Sequence, residues 1–307
     1  MKSSLNFSDE QRAATERAGL LAGLSKVKLL KEPEAAALAY GLLQKQQQMV
    51  LVFDLGGGTF DVSVLEVGGG FVEVIATSGD GQLGGDDFDN VIIDWMINQF
   101  SKISCEGSKF IMKDAISLKR LKVEAVKVKL QLSQTSNASV NISNLYNGLG
   151  LVDSLSRKQF EQLSRTLFDR LLKPLREVSL MAGINLPGES GQVGTFQSEI
   201  DIIDDIVPID GDASQRNLQI KGRANAKEKN KAKGNSKREL RRLQKEYSDP
   251  SLSLFPGGQA LDDVVLVGGA TRMPAIIRLV KIMTGIGIIY YFYIFTNYYR
   301  SSQKRQS

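Results

Sequence analysis

Asp54-Leu55-Gly56-Gly57-Gly58-Thr59-Phe60-Asp61 joins an apolar run, Met49 to Phe53, to an alternating run, Phe60 to Val67, through three consecutive glycines. The flanks read as strands and the glycines as the turn between them, so the stretch predicts a hairpin. Glycine has no Cβ, which lets backbone N–H groups approach an anion closely and lets the chain take φ > 0 without steric cost. Asp54 and Asp61 flank the turn with carboxylates suited to a hydrated Mg²⁺, an ion that keeps most of its waters and takes one or two acidic groups plus phosphate oxygens. Gly56, Gly57, Gly58 and Thr59 are then the phosphate-cradling residues. An ordinary hairpin also uses glycine, and the motif by itself leaves both readings open.

Working outward, Ser8 with Gln11 makes a capping box for an Ala-rich helix reaching Leu24. Val27 to Leu30 is a short β-like run, and Glu32-Pro33 opens a second helix with proline at its first position, where the missing N–H costs nothing. Glu32 thus sits at a strand-to-helix junction, where a carboxylate can accept from the free helix N–H groups or face a ligand. Phe71 to Thr77 is expected to pair with Phe60 to Val67 across Gly68-Gly69-Gly70, as a meander alternating between core and solvent. Ser78 to Gly85 reads as a second glycine-rich loop, with Asp86 as N-cap of a helix through Phe100 and Gly84 and Gly85 close to phosphate at an electropositive helix end. A helix over Lys113 to Ser133, a strand over Ala138 to Ile142 and a long helix from the Ser156/Gln159 cap to Gly183 follow. Asp262 to Val267 is a buried strand that runs into Gly268-Gly269 before Pro274 opens a last helix. The fold class is α/β, a mixed sheet flanked by helices.

Four stretches carry a resemblance to the seventy-kilodalton heat-shock (DnaK-type) chaperones. Phe7 to Gly23 leads into Lys31-Glu32-Pro33-Glu34-Ala35-Ala36-Ala37-Leu38-Ala39-Tyr40-Gly41, the hairpin turn follows, and Leu83-Gly84-Gly85-Asp86-Asp87-Phe88-Asp89-Asn90 and Val267-Gly268-Gly269-Ala270-Thr271-Arg272-Met273-Pro274 come in the family's order. The resemblance implies an actin-like ATPase (ribonuclease H-like) lobe and ATP/ADP with Mg²⁺ as cofactors. It implies Glu32, Asp54 and Asp61 as catalytic residues: Glu32 helps order the attacking water, and Asp54 and Asp61 hold Mg²⁺ through water. Gly84 and Gly85 join the phosphate cradle, while Lys129, Ser133, Gly268, Gly269 and Arg272 hold the nucleoside. Unfolded client proteins and co-chaperones are the implied partners. Three positions depart from the pattern: Val126 stands where the family has Glu, Leu130 fits a bacterial-type aliphatic, and Ala270 replaces the usual Ser.

Composition narrows the chemistry. The 307 residues are 42% hydrophobic and 24% charged, enough for one or two globular domains. The absence of histidine removes Ser-His-Asp catalysis, His general bases and His-ligated zinc or haem. A single cysteine, Cys105, excludes an intramolecular disulfide and suits a reducing compartment, cytoplasm by preference or an organelle stroma. The net charge of +5 is local in origin: Lys221 to Lys245 holds eleven basic residues against two acids, after a patch from Glu189 to Asp212 with seven acids and no base. Such segregated composition with few aromatics reads as a charged, solvated insertion, and without interleaved aromatics nucleic-acid binding is disfavoured.

The expected organisation is a remnant of a first lobe over 1–48, a second lobe over 49–187 that returns over 258–285, the charged insertion 188–257, and an aberrant aromatic and apolar tail over 286–307. From Ile282 to Tyr299 the tail is uncharged for eighteen residues, at the lower edge of spanning length, but Asn297 and two glycines disfavour a membrane anchor. The resembling family's first phosphate loop and catalytic lysine precede the segment matching Phe7, so the chain is expected to lack two electrostatic contributions of about 3 to 4 kcal/mol each to hydrolysis. The expected function is therefore an ATP-binding partial chaperone domain. The alternative is a non-catalytic interaction protein acting through lobe surfaces or the basic insertion.

Overall fold

The computed structural model describes residues 2–3, 8–40, 46–104, 107–186, 259–286 and 289–291. Strand β1 (Lys2–Ser3) pairs in parallel with β2 (Leu30–Lys31). Helix α1 (Asp9–Leu21) lies between them and carries the expected capping box: Gln11 N–H donates to Ser8 Oγ at 3.2 Å, and Gln11 Oε1 accepts from Ser8 N–H at 2.8 Å. Of the β-like run Val27 to Leu30, only Leu30 enters a strand, and α2 (Glu32–Ala39) follows at once with Pro33 in its first turn.

Next comes the antiparallel meander β3 (Gln48–Leu55), β4 (Phe60–Gly68) and β5 (Phe71–Asp80). The expected alternation holds only loosely in β5, the edge strand; β4 is buried almost throughout. The reason is tertiary. One face of the sheet packs Leu51, Phe53, Leu55, Val62 and Val64 into the main core, and the other buries Val50, Val52, Leu65 and Val67 under Ala36 and Ala37 of α2. Residues on either face of β4 are thus removed from water, as in sheets covered on both sides.

Helices α3 (Gly85–Ile103), α4 (Gly107–Ile111) and α5 (Ala115–Gln134) follow. The break before α5 arises because Asp114 caps it, accepting from Ser117 N–H at 2.8 Å. The β6 (Asn137–Tyr146) and β7 (Leu149–Ser156) hairpin turns through Asn147 and Gly148, both with positive φ. The single helix expected from Ser156 to Gly183 is two: Ser156 caps α6 (Arg157–Leu163) as expected, the chain breaks at buried Ser164, and α7 (Arg165–Ala182) ends on Gly183 in the left-handed conformation. After the undescribed stretch 187–258, β8 (Asp263–Val267) pairs in parallel with β3, a 3₁₀ turn covers Gly269–Arg272, and α8 (Pro274–Thr284) leads to β9 (Ile289–Tyr291). The sheet order is β5-β4-β3-β8-β9, with β8 and β9 parallel.

The charged insertion, including the basic helix read at Ser236 to Tyr247, lies outside the described residues, as does most of the tail. Ile289 to Tyr291 of that tail adds the fifth strand to the sheet. Among the described residues no helix is long and apolar enough to cross a membrane.

Candidate functional site

Asp54 and Asp61 are cross-strand partners in the β3/β4 ladder, so their side chains leave the same face of the sheet. Val52 and Ser63, two residues back, form the next pair on that face. The start of α2 closes over them, and Glu32, Pro33, Val52, Asp54, Asp61 and Ser63 line one pocket. What holds α2 there is the contact of Ala36 and Ala37 with the second apolar cluster. The reach-back bond at the helix start is made by Glu34, whose Oε2 accepts from Lys31 N–H at 3.3 Å, while Glu32 lines the pocket. Burial pushes the Asp61 carboxyl above its ordinary value, and the nearby Glu32 charge pushes it further. Negative charge is therefore concentrated here at a cost.

Gly79 faces Asp61 from β5, and sequence reasoning missed it. A Cβ there would lie 2.5 Å from the Phe60 carbonyl oxygen and 2.9 Å from Asp61 Oδ1, so only glycine lets β5 pass beside the carboxylate. Its one sequence signal was its place within the glycine-rich run Ser78 to Gly85.

The turn is closed by Gly56 N–H donating to Thr59 O at 3.0 Å. Gly57, Gly58 and Thr59 are exposed, and among the described residues nothing accepts from their N–H groups. Three consecutive amides are thus open at the tip of the hairpin, the arrangement from which anion-binding nests are made. The turn's carbonyls point the other way: Gly56 O accepts from Gly85 N–H at 2.9 Å and Gly57 O from Asp86 N–H at 2.8 Å. The two glycine loops are therefore fastened together. Asp86 is not the N-cap of α3; Gly84 is, and Asp87 Oδ2 accepts from Gly84 N–H at 2.8 Å. Gly84 and Gly85 lie against the turn, and their own N–H groups are engaged within the protein.

The third loop closes from β8. Gly268 has φ 90°, and a Cβ on it would overlap the Leu55 carbonyl and stand 3.0 Å from Asp54 Oδ1. Thr271 Oγ1 donates to Gly268 O at 2.7 Å, while Gly269 faces open space. Around Gly85 the loops converge, since its Cβ position lies 3.2 Å from Lys129 Nζ and 3.4 Å from the Ala270 Cβ. Lys129 donates to Gly85 O at 2.7 Å and to Asp89 Oδ2 at 2.8 Å, and Ser133 Oγ donates to Lys129 O at 3.0 Å. Burial raises the Asp89 carboxyl; its hydrogen bond and ion pair with Lys129 oppose this, and Asp86 adds repulsion. Lys129 and Ser133 also line a second pocket, with Phe160, Met273, Pro274 and Ala275. Arg272 is exposed at the loop's edge, and α8 is tied to α6 by a buried Arg278–Glu161 pair at 2.7 Å.

The structure thus gathers most of the expected residues into two adjoining places. One holds Glu32, Asp54 and Asp61. The other joins the glycine turn to Gly84, Gly85 and Lys129, with Gly268 bridging toward Asp54. Among the described residues no three acidic or cysteine side chains stand close enough to ligate a metal directly.

The chain has known relatives. The family model described as Hsp70 protein matches residues 5–186. A relative named chaperone protein dnaK, from Cyanidioschyzon merolae, is 48% identical over 175 residues, covering 56% of this chain and 28% of the relative. The stromal 70 kDa heat shock-related protein, chloroplastic, of Spinacia oleracea is 36% identical over 283 residues, covering 91% of this chain and 35% of the relative. The chain spans about a third of the length of these curated relatives.

Proposed function

Because the chain belongs to the Hsp70 family, we propose that it carries the nucleotide-holding lobe of an ATP-dependent chaperone and binds ADP and ATP with Mg²⁺. The observation that carries this reading is the open nest at Gly57, Gly58 and Thr59 between the opposed carboxylates of Asp54 and Asp61. Phosphate oxygens are the ligands such amides take. The donor set also fits the ion: hard carboxylate oxygens, not grouped as three direct ligands among the described residues, suit a cation that keeps its waters. The raised Asp61 carboxyl marks negative charge that a cation would relieve. Bound Mg²⁺ would supply charge neutralisation at the phosphates.

In this reading Asp54 and Asp61 hold the hydrated ion, Gly56 to Thr59 take the phosphates with Gly84 and Gly85 as backing, and Glu32 orders water at the start of α2. Lys129, Ser133, Gly268, Gly269 and Arg272 edge the space for the nucleoside. Residues 49–187 and 258–285 act as one lobe, in keeping with the single sheet shared by β3, β4 and β8. ATP hydrolysis coupled to protein folding, with unfolded clients and co-chaperones as partners, is the activity proposed for the whole protein, in the cytoplasm or an organelle stroma.

The test is the melting temperature of the purified chain with and without Mg²⁺-ADP. A ligand at a hundredfold excess over its Kd stabilises by about 2.7 kcal/mol, so a rise of about 5 °C or more is expected, and Asp54→Asn should remove most of it. No rise, or an equal rise in Asp54→Asn, contradicts the reading.

A further inference from the structure

Lys129 reaches from α5 to the start of α3, where its ammonium donates to Gly85 O at 2.7 Å and to Asp89 Oδ2 at 2.8 Å. The two paired side chains are nearly out of water, 13% and 12% exposed. Among the described residues the third N–H of the ammonium has no acceptor, and Lys129 lines the pocket shared with Ser133, Arg157, Glu161 and Met273. Gly85 makes room for the ammonium, since a Cβ there would stand 3.2 Å from Nζ and 3.4 Å from the Ala270 Cβ. The charge is therefore held where α3, α5 and the loop after β8 meet.

The start of α3 does not need Asp89, because Asp87 Oδ2 already takes the Gly84 N–H. The second oxygen of Asp89, Oδ1, is buried with no hydrogen-bond partner among the described residues. The side-chain hydrogen bonding of this carboxylate thus goes to Lys129 alone. Stability does not explain the pair well: a buried ion pair is often no more stabilising than two apolar side chains of the same volume. A lysine ammonium, however, is a point charge on a flexible four-carbon stem, and it stays in one place only if partners fix it. We infer that Asp89 is a positioning residue of the nucleotide site, holding the Lys129 ammonium so that its remaining N–H meets the nucleotide. This rests on the nucleotide reading above and adds to it a residue that acts only through another. Without the carboxylate the ammonium keeps Gly85 O as its one acceptor, and the long side chain is free to turn towards water.

Calorimetric titration with Mg²⁺-ADP of the unaltered full chain, Asp89→Asn, Lys129→Met and the double variant tests this. Asp89→Asn is expected to weaken binding by about five- to tenfold, and in the Lys129→Met background the same change should alter affinity by no more than about twofold. A loss of equal size in both backgrounds shows that Asp89 does not act through Lys129 and overturns the inference. So does unchanged affinity in Asp89→Asn, which leaves the proposed function standing. No binding by the unaltered folded chain overturns both. One further readout needs no variant to fold: in the unaltered chain the ¹⁵Nζ resonance of Lys129 and the ¹³Cγ resonance of Asp89 should move together and saturably with Mg²⁺-ADP. Binding that leaves either resonance unmoved overturns the inference.

Discussion

Asp54 and Asp61 stand directly opposite each other where β3 ends and β4 begins, so the chain that must turn between them holds its amides at the mouth of a two-carboxylate face. Like charges opposed across strands are destabilising, and α2 adds Glu32 to the same pocket. The hairpin therefore keeps an arrangement that costs stability without a cation.

That cost is measurable through pH. Because Asp61 is raised by burial and by Glu32, it favours folding in its protonated form, a contribution present below the ordinary carboxylate value of 3.8 and lost as pH rises through the folded value. At neutral pH, Asp61→Asn should therefore raise the melting temperature of the ligand-free chain, by on the order of 1 to 2 °C, and weaken its affinity for Mg²⁺-nucleotide. Differential scanning calorimetry with and without ligand checks both signs; a lower ligand-free melting temperature contradicts the account.

The glycines separate into those that packing requires and those that a ligand requires. Gly268→Ala places a Cβ against the Leu55 carbonyl at φ 90° and should cost about 2 kcal/mol or more in urea denaturation. Gly58→Ala meets open space and should change stability by no more than about 0.5 kcal/mol, so any loss of nucleotide affinity in it reports on the nest alone.

Arg278 and Glu161 are 9% and 5% exposed and only 2.7 Å apart, so removing one partner leaves the other charge buried. Glu161→Ala should destabilise by about 3 to 5 kcal/mol in equilibrium denaturation, and an apolar replacement of both residues should recover much of that.

Asp80 behaves oppositely to Asp61. Burial pushes its carboxyl up, but the Gln82 N–H and the Arg170 guanidinium outweigh burial and hold it below the ordinary value of 3.8. The lowered group contributes stability above that value and loses it as pH falls through the folded value. Arg170→Ala should cost about 0.5 to 1 kcal/mol at pH 7, the pair being partly exposed, and the difference from the unaltered chain should fade below about pH 4. Urea melts at the two pH values measure it.

Local chemistry made much of this legible from residues alone. The Ser8/Gln11 and Ser156/Gln159 caps, Pro274 at a helix start and the turn at Gly56 to Gly58 each depend on residues within a few positions of one another. What was not legible depends on partners far along the chain. Asp86, Asp87 and Asp89 lie within four positions of one another, yet one lends its N–H to Gly57 O, one accepts from the N–H of the N-cap Gly84 and one pairs with Lys129, 40 positions away. The need for glycine at position 79 appears only when β5 lies against Asp61. The expected alternation in β4 failed because α2 covers the face that periodicity assigned to water. Membership of the family was legible because its motifs are contiguous; the commitment of Lys129 and Ser133 to internal bonds was not, because a motif records residue type and not partners.

The most direct test is a ¹H–¹⁵N spectrum of the chain titrated with Mg²⁺-ADP. The account predicts that the amides of Gly57, Gly58 and Thr59 shift together and saturably, as they take up hydrogen bonds to phosphate, while those of Gly85 and Asp86, already bonded to Gly56 O and Gly57 O, move little. Saturable binding that leaves the Gly57, Gly58 and Thr59 amides unmoved, or no binding by the folded chain, would contradict it.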